Sequence, residues 1–279
     1  MLAVWEVGAR SLYLRIAAVV VALAYYFVLV APASLAAALS LGHGNVLLSS
    51  LLTAFALLLL SRSSTANGRW LFATLAVFVY VHLLMMQLEA VFFGLMTPSI
   101  QAIVGLLVIV VLLVGPFCIA VALSPRPDER TTAAISDLAY IRGLASRVAL
   151  CSIVYAALYF LAGVTILPFV REFYGALVPP ILEIVAWQLL RGAIYASASL
   201  LLIRHMKGTS VEIATTLAVA FPILGGVAPL LLPNAAMPEH IRLVHAFEIG
   251  ISYCLFGYFL GYVFATYERH PQRSADVVT

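Results

Sequence analysis

Eight long apolar runs, each closed off by polar, proline or glycine residues, dominate this chain. A helix needs about 20 consecutive apolar residues to cross the hydrocarbon core. The runs at 11–31, 42–61, 70–95, 99–123, 147–169, 179–205, 211–233 and 240–267 meet that length. Backbone groups without partners are untenable in lipid, so each run is expected to be an α-helix. Composition agrees: of 279 residues, 64% are hydrophobic and 10% charged, where soluble domains carry about 25% charged residues. Mean hydropathy is +1.10. The expected fold class is an all-α, polytopic integral membrane helical bundle of about eight transmembrane helices, forming a single transmembrane domain over 1–279. A water-soluble globular protein, a disordered chain and a disulfide-stapled secreted domain are excluded, and no length remains for a soluble catalytic domain.

The breaks between runs are Pro32 with Gly42-His43-Gly44-Asn45, Ser61 to Gly68, Thr97-Pro98, Ser124 to Arg147, Arg171 to Pro180, Lys207-Gly208-Thr209 and Pro233 to Pro238. Basic residues give the orientation, because Lys and Arg accumulate in short cytoplasmic loops. With the N-terminus inside, Arg10, Arg15, Arg62, Arg69, Arg126, Arg130, Arg142, Arg147, Arg204, Lys207, Arg269 and Arg273 all fall at the inner boundary. Arg171 and Arg242 fall outside, and Arg191 falls within a span. Both termini are therefore expected in the cytoplasm, in the inner membrane of a bacterium whose coding favours Arg over the single Lys207. The net charge of +3 is a topology signal; nucleic-acid binding would need a clustered basic face, and none exists. The run Ile16 to Val30 followed by Ala31-Pro32-Ala33 imitates a signal peptide, but it lies far from the initiator and its loss would remove the next span's inner anchor.

The segment from Ser124 to Arg147 divides the chain into two sets of four spans. Ile135, Leu138, Ile141 and Leu144 recur there at three-residue intervals, the spacing of either a surface amphipathic helix or an ordinary linker with a helical turn. Arg15-Ile16-Ala17 leading into Ala22-Leu23-Ala24-Tyr25-Tyr26-Phe27 is echoed by Arg147-Val148-Ala149 leading into Ala156-Ala157-Leu158-Tyr159-Phe160. Such an echo predicts a 4+4 repeat of parallel orientation, as some transporters use. Gly250, Cys254, Gly257 and Gly261 set small atoms along one stripe of the eighth run, and Gly257 to Gly261 is a GxxxG spacing. That stripe packs either internally, with Ala193, Ala196, Ser197 and Ser199 as a facing surface, or against a second protein in a homo- or hetero-oligomer. Phe221-Pro222-Ile223-Leu224-Gly225-Gly226-Val227-Ala228-Pro229 is expected to kink or unwind the seventh run. Cys118, Cys151 and Cys254 lack CxxC spacing and read as packing residues.

An ionisable group in hydrocarbon costs at least about 2.5–3.5 kcal/mol on insertion scales and is a functional candidate by default. The candidates are His82, Gln87 and Glu89 in the third span, Glu183, Gln188 and Arg191 in the sixth, and His245 and Glu248 in the eighth. At about 1.5 Å per residue, Glu89, Glu183, His245 and Glu248 share an outer level, with His82 and Arg191 deeper. The expectation is an outward-facing polar pocket built by spans three, six, seven and eight. In it Arg191 pairs with a carboxylate such as Glu248, or with another across the bundle, or anchors an anionic ligand, while Glu89, Glu183, His245, Glu248 and His82 bind a proton, a metal or a small polar solute. His245 and Glu248 lie three apart on one face and offer nitrogen and oxygen donors to a divalent metal. A haem between His82 and His245 fits poorly, since their depths differ.

No GxSxG, Walker-type or GxGxxG motif is present, so an enzyme is the less favoured class. Three functions remain open: binding or transport of a small solute or ion, a non-catalytic subunit of a membrane complex, and an intramembrane enzyme using His245 and Glu248.

Overall fold

Local chemistry starts and stops the helices where the polar breaks fall. The computed structural model describes residues 2–30, 43–124, 138–234 and 237–276. Its helices are α1 (Leu2–Val30), α2 (His43–Ser63), α3 (Gly68–Phe92), α4 (Ile100–Ala122), α5 (Leu138–Tyr174), α6 (Ile181–Ile203), α7 (Ser210–Pro222), α8 (Ala228–Leu231) and α9 (Glu239–Asp276). Asn67 caps α3 by accepting from the Trp70 amide, and Ser99 caps α4 by accepting from Ala102. Thr209 and Glu212 form a reciprocal capping box on α7. The Thr97-Pro98 break is a true turn, entered through Gly94 at φ 67°, a left-handed value that favours glycine.

Among the described residues, eight helical segments are long and apolar enough to span a membrane. The seventh combines α7, one π-helical turn at Ile223–Val227, and α8. The proline–glycine run therefore stays helical: the wider turn absorbs the amides missing at Pro222 and Pro229. Of the kink or unwinding expected here, the structure shows a helical irregularity, the π turn, and no unwound stretch. Gly225 and Gly226 are buried and serve close packing, since a Cβ on Gly225 would lie 2.7 Å from the Tyr253 ring and one on Gly226 2.5 Å from Ile249. Ile141 and Leu144 belong to α5, which begins nine residues before the predicted span, so they form no separate surface helix. Ile135 and Asp137, the Ala31-Pro32-Ala33 segment and the Gly42 turn lie outside the described residues.

Each substantial helix contact in the first half has a counterpart in the second. α1 packs on α2 and α4 as α5 packs on α6 and α9; α3 packs on α4 as α7 packs on α9; α2 meets α4 as α6 meets α9. Across the halves, α3 meets α6 as α7 meets α2. The α2–α3 and α6–α7 connections clasp each other through an antiparallel bridge between Ser64 and Met206, with the Thr65 amide donating to the His205 carbonyl at 2.6 Å and Lys207 to Ser63 at 2.8 Å. That bridge also sets the register. Asn67 and Thr209 are equivalent caps, and Val46, Ser49, Ser50, Thr53 and Ala54 are buried where Gln188, Arg191, Gly192, Tyr195 and Ala196 are buried.

The glycine stripe of α9 packs on α7, not on α6 as expected. A Cβ on Gly257 would stand 2.6 Å from the Leu217 carbonyl oxygen, and one on Gly261 2.8 Å from Ala214 Cα. This face is therefore filled inside the bundle, leaving it no room for a second copy. α6 instead approaches α5 closely at Gly192, where a Cβ would lie 2.8 Å from Ser152 Cα, while Ser197 of the expected face is exposed.

Candidate functional site

We call the end carrying the α3–α4 and α5–α6 connections distal, and the end of the Ser64–Met206 clasp proximal. Gln188, Arg191 and Tyr195 recur at three- and four-residue spacing and so share one face of α6. That face is buried: Arg191 is only 1% exposed and Gln188 and Tyr195 are fully enclosed. Glu89 reaches Arg191 from the last turn of α3 and forms an ion pair through Nη1, while remaining 23% exposed itself. Arg191 thus pairs with Glu89 rather than Glu248, because α3, not α9, presents its carboxylate to α6. The same Nη1 donates to Gln188 Oε1 at 3.0 Å, and Nη2 donates to the Tyr253 hydroxyl of α9 at 3.0 Å. Tyr253 is hydrogen-bonded in turn to Tyr155 of α5 at 2.9 Å and to Tyr195 at 3.4 Å. The guanidinium carbon lies 5.6 Å and 5.8 Å from the Tyr155 and Tyr195 rings, an aromatic setting that favours a cation.

Four buried groups beside this cluster lack hydrogen-bond partners: Arg191 Nε, Gln188 Nε2, Trp187 Nε1 and His82 Nε2. The first three are donors only. His82 directs Nδ1 to the Phe78 carbonyl at 2.7 Å and is held between Phe78, Tyr195 and Phe221, with ring centroids 4.2, 5.0 and 4.3 Å away. It sits where α3 crosses the π turn, beside Gly225, inside an aromatic box rather than on a pocket wall.

His245 and Glu248 form a second cluster. Glu248 Oε2 accepts from His245 Nδ1 at 2.9 Å, and the other ring nitrogen meets the Tyr174 hydroxyl of α5 at 3.0 Å. Both imidazole nitrogens are thereby engaged, and among the described residues no three His, Cys, Asp or Glu side chains group to hold a metal ion. Glu248 also lines a groove of about 730 Å³ between α5 and α9, walled by Leu158, Leu161, Ile166, Phe169, Phe247 and Ile251. Tyr174 lies within electrostatic reach of both Glu89 and Glu248, and Tyr159 within reach of these and Arg191, so the two clusters adjoin. Glu183, in contrast, is exposed in the first turn of α6 and joins neither.

The hydropathy reading missed α5. Tyr155 and Tyr159 sit one turn apart, and Tyr155 and Tyr174 supply hydroxyls to a site expected from spans three, six, seven and eight. The signal was the tyrosine spacing, which an apolar count hides because Tyr has an apolar body and a polar tip.

At the proximal end Arg204 donates Nε to Glu268 at 3.3 Å and Nη2 to the Tyr140 hydroxyl at 2.8 Å. Burial opposes the Arg204 charge, but the Tyr140 and Glu268 contacts outweigh it and raise its pKa above the ordinary value.

Eight apolar helices around an enclosed, hydrogen-bonded charge define a multi-pass membrane protein. No family model, no curated protein and no solved structure matches this chain.

Proposed function

We propose that the protein binds, and carries across the bilayer, a small anionic solute, with Arg191 as the anion anchor and Glu89 as its resident counter-charge. One observation carries the reading. The architecture is built twice, and only the second half places a charge and tyrosines at these positions. In the register of the Ser64–Met206 bridge, Arg191, Gln188 and Tyr195 correspond to Ser49, Val46 and Thr53, all buried. Burial also pairs Tyr155 with Val21 in α1 and Tyr253 with Val110 in α4. The first half packs without a cation or tyrosines there, so the fold does not require them. A buried arginine that the fold does not need, at a depth where charge is expensive, marks function. The unpartnered donors on Trp187, Gln188 and Arg191 suit an incoming oxyanion, which accepts several hydrogen bonds at once.

We read the proximal end, which gathers Arg62, Arg69, Arg147, Arg204 and Lys207, as the cytosolic face of a bacterial inner membrane. Glu89, the partly exposed member of the pair, then lies toward the outer face. The test is a thermal-shift screen of acetate, succinate, phosphate, sulfate and chloride against purified protein. At least one anion should stabilise the wild type, Arg191→Lys should weaken the effect, and Arg191→Gln should abolish it. Equal stabilisation of a folded Arg191→Gln variant would refute the reading.

A second reading rests on the Tyr174–His245–Glu248 chain, in which a hydroxyl, an imidazole and an orienting carboxylate line up as in acid–base catalysis, beside a groove that faces lipid. It predicts turnover of a lipophilic substrate that stops on Tyr174→Phe.

A further inference from the structure

Arg191 is enclosed, whereas its partner Glu89 is partly accessible and three residues from the end of α3, about 5 Å along the axis. Of the two partners it is therefore the carboxylate, not the guanidinium, that is accessible near the distal end of the bundle. Leaving Arg191 without a counter-charge is costly in a low-dielectric interior. An anion arriving beside an intact Arg191–Glu89 pair would place two negative charges on one positive one, which is unfavourable for the same reason. One proton resolves both problems.

We propose that anion binding at Arg191 takes up one proton at Glu89, making the protein an anion–proton co-binding, and hence co-transporting, system. The proposal rests on the anion reading above. In the step, a proton from distal water adds to a Glu89 carboxylate oxygen, the hydrogen bond from Arg191 Nη1 to that oxygen breaks, and Nη1 donates instead to an oxygen of the anion. The site holds one positive and one negative charge before and after. No electrons move, and the only co-reactant is the proton.

Five tyrosines, one histidine and a second carboxylate surround the pair. From α5, Tyr155, Tyr159 and Tyr174 face it, from α6 Tyr195, and from α9 Tyr253; tyrosines ordinarily ionise near 10 and stay neutral. His82 on α3 already commits Nδ1 to the Phe78 carbonyl within its aromatic box. Glu248 of α9 is 7% exposed and bonded to His245, which in turn bonds Tyr174. Glu89 is thus the carboxylate that both meets water and contacts the cation.

The experiment is calorimetric titration of the intact protein in lipid nanodiscs with the anion the screen selects, run in buffers of different ionisation enthalpy. The wild type should take up about one proton per anion, and its apparent affinity should rise up to tenfold per unit fall in pH where Glu89 is ionised. Glu89→Gln, locked in the neutral form, should bind more tightly than the wild type at high pH, take up no proton and show a flat pH profile. Arg191-dependent binding with no proton uptake would overturn the coupling and leave the anion reading standing. Proton uptake that persists in Glu89→Gln, or loss of binding in that variant at every pH, would overturn Glu89 as the proton site. Absence of any Arg191-dependent anion binding would remove both proposals together.

Discussion

Removing Glu89 should harm this protein more than removing Arg191, because the two partners are buried unequally. In Glu89→Ala the guanidinium, 1% exposed, keeps its hydrogen bonds to Gln188 and Tyr253 but loses its counter-charge. Breaking a buried pair from one side costs about 3–5 kcal/mol. The surviving hydrogen bonds and the 23% exposure of the carboxylate place this case at the low end, about 3 kcal/mol. Arg191→Met leaves a carboxylate that water still reaches, which costs about 1–2 kcal/mol, close to an unsatisfied polar group. Glu89→Ala with Arg191→Met removes both charges and should return to within about 1 kcal/mol of the wild type, since apolar replacement of a buried pair is often neutral. Equilibrium unfolding in mixed micelles, followed by tryptophan fluorescence, measures the full cycle. The anion reading adds a signature: acetate should restore stability to Glu89→Ala by occupying the vacated carboxylate position, and should do nothing for the double variant. A double variant no more stable than Glu89→Ala would refute the argument, as would Glu89→Ala costing less than Arg191→Met.

Four further outcomes follow from the packing and the hydrogen bonds. Gly257→Val should cost about 1–3 kcal/mol, because a Cβ 2.6 Å from the Leu217 carbonyl forces α7 and α9 apart, where dispersion rather than the hydrophobic effect holds helices together. Gly250→Ala, whose Cβ would sit at an ordinary 3.6 Å from Val227, should be within about 0.5 kcal/mol of the wild type in the same unfolding assay. Ser49→Ala removes a 2.7 Å hydrogen bond to the Ala228 carbonyl and should cost about 0.6 kcal/mol, the mean for such bonds in membranes, with no change in the anion thermal shift. Arg204→Gln breaks a part-exposed pair with Glu268 and should cost no more than about 1 kcal/mol. The raised Arg204 pKa keeps that contribution intact below the ordinary arginine value and removes it only as pH climbs through the raised one, so a wild-type stability scan from pH 6 to 9 should show no step from this pair.

The spans were legible because lipid imposes one simple rule, and the polar outliers were legible because they break it. Glu89, Arg191, His245 and Glu248 stand out in apolar runs whatever the helices do. What the sequence withheld was lateral: depth along an axis follows from residue number, but which helices are neighbours does not. Depth alone placed Glu89, Glu183, His245 and Glu248 on one level, and could not say that Glu89 would meet Arg191 while Glu183 faced away. The repeat was visible only in part. Ala22 and Tyr25 do correspond to Ala156 and Tyr159 in burial, but Arg15 and Arg147 are out of step with them by two residues. The clearest correspondence, between α2 and α6, carries almost no shared sequence, because the same buried positions hold Ser49 in one half and Arg191 in the other.

That divergence has a mechanical side. The two halves meet along α3–α6 and along α2–α7, and both seams are bridged distally from the equivalent residue of α2 or α6. On one seam Ser49 donates to a backbone carbonyl in α8, a neutral bond with nothing to titrate or displace. On the other, Arg191 holds the side chain of Glu89, a bond that a proton or a competing anion can release. Proximally the seams converge on the Ser64–Met206 clasp, whose bonds run between backbones, and near mid-depth α3 crosses the π turn at His82 and Gly225 with no Cβ between them. In a structure closed at the clasp, tight at the crossing and bridged along α2–α7 by a neutral bond, the α3–α6 seam is the one bridged by an ion pair between side chains. Under the proposed anion reading, the same pair that would hold the solute also ties α3 to α6, so occupancy and access would be linked without a second site.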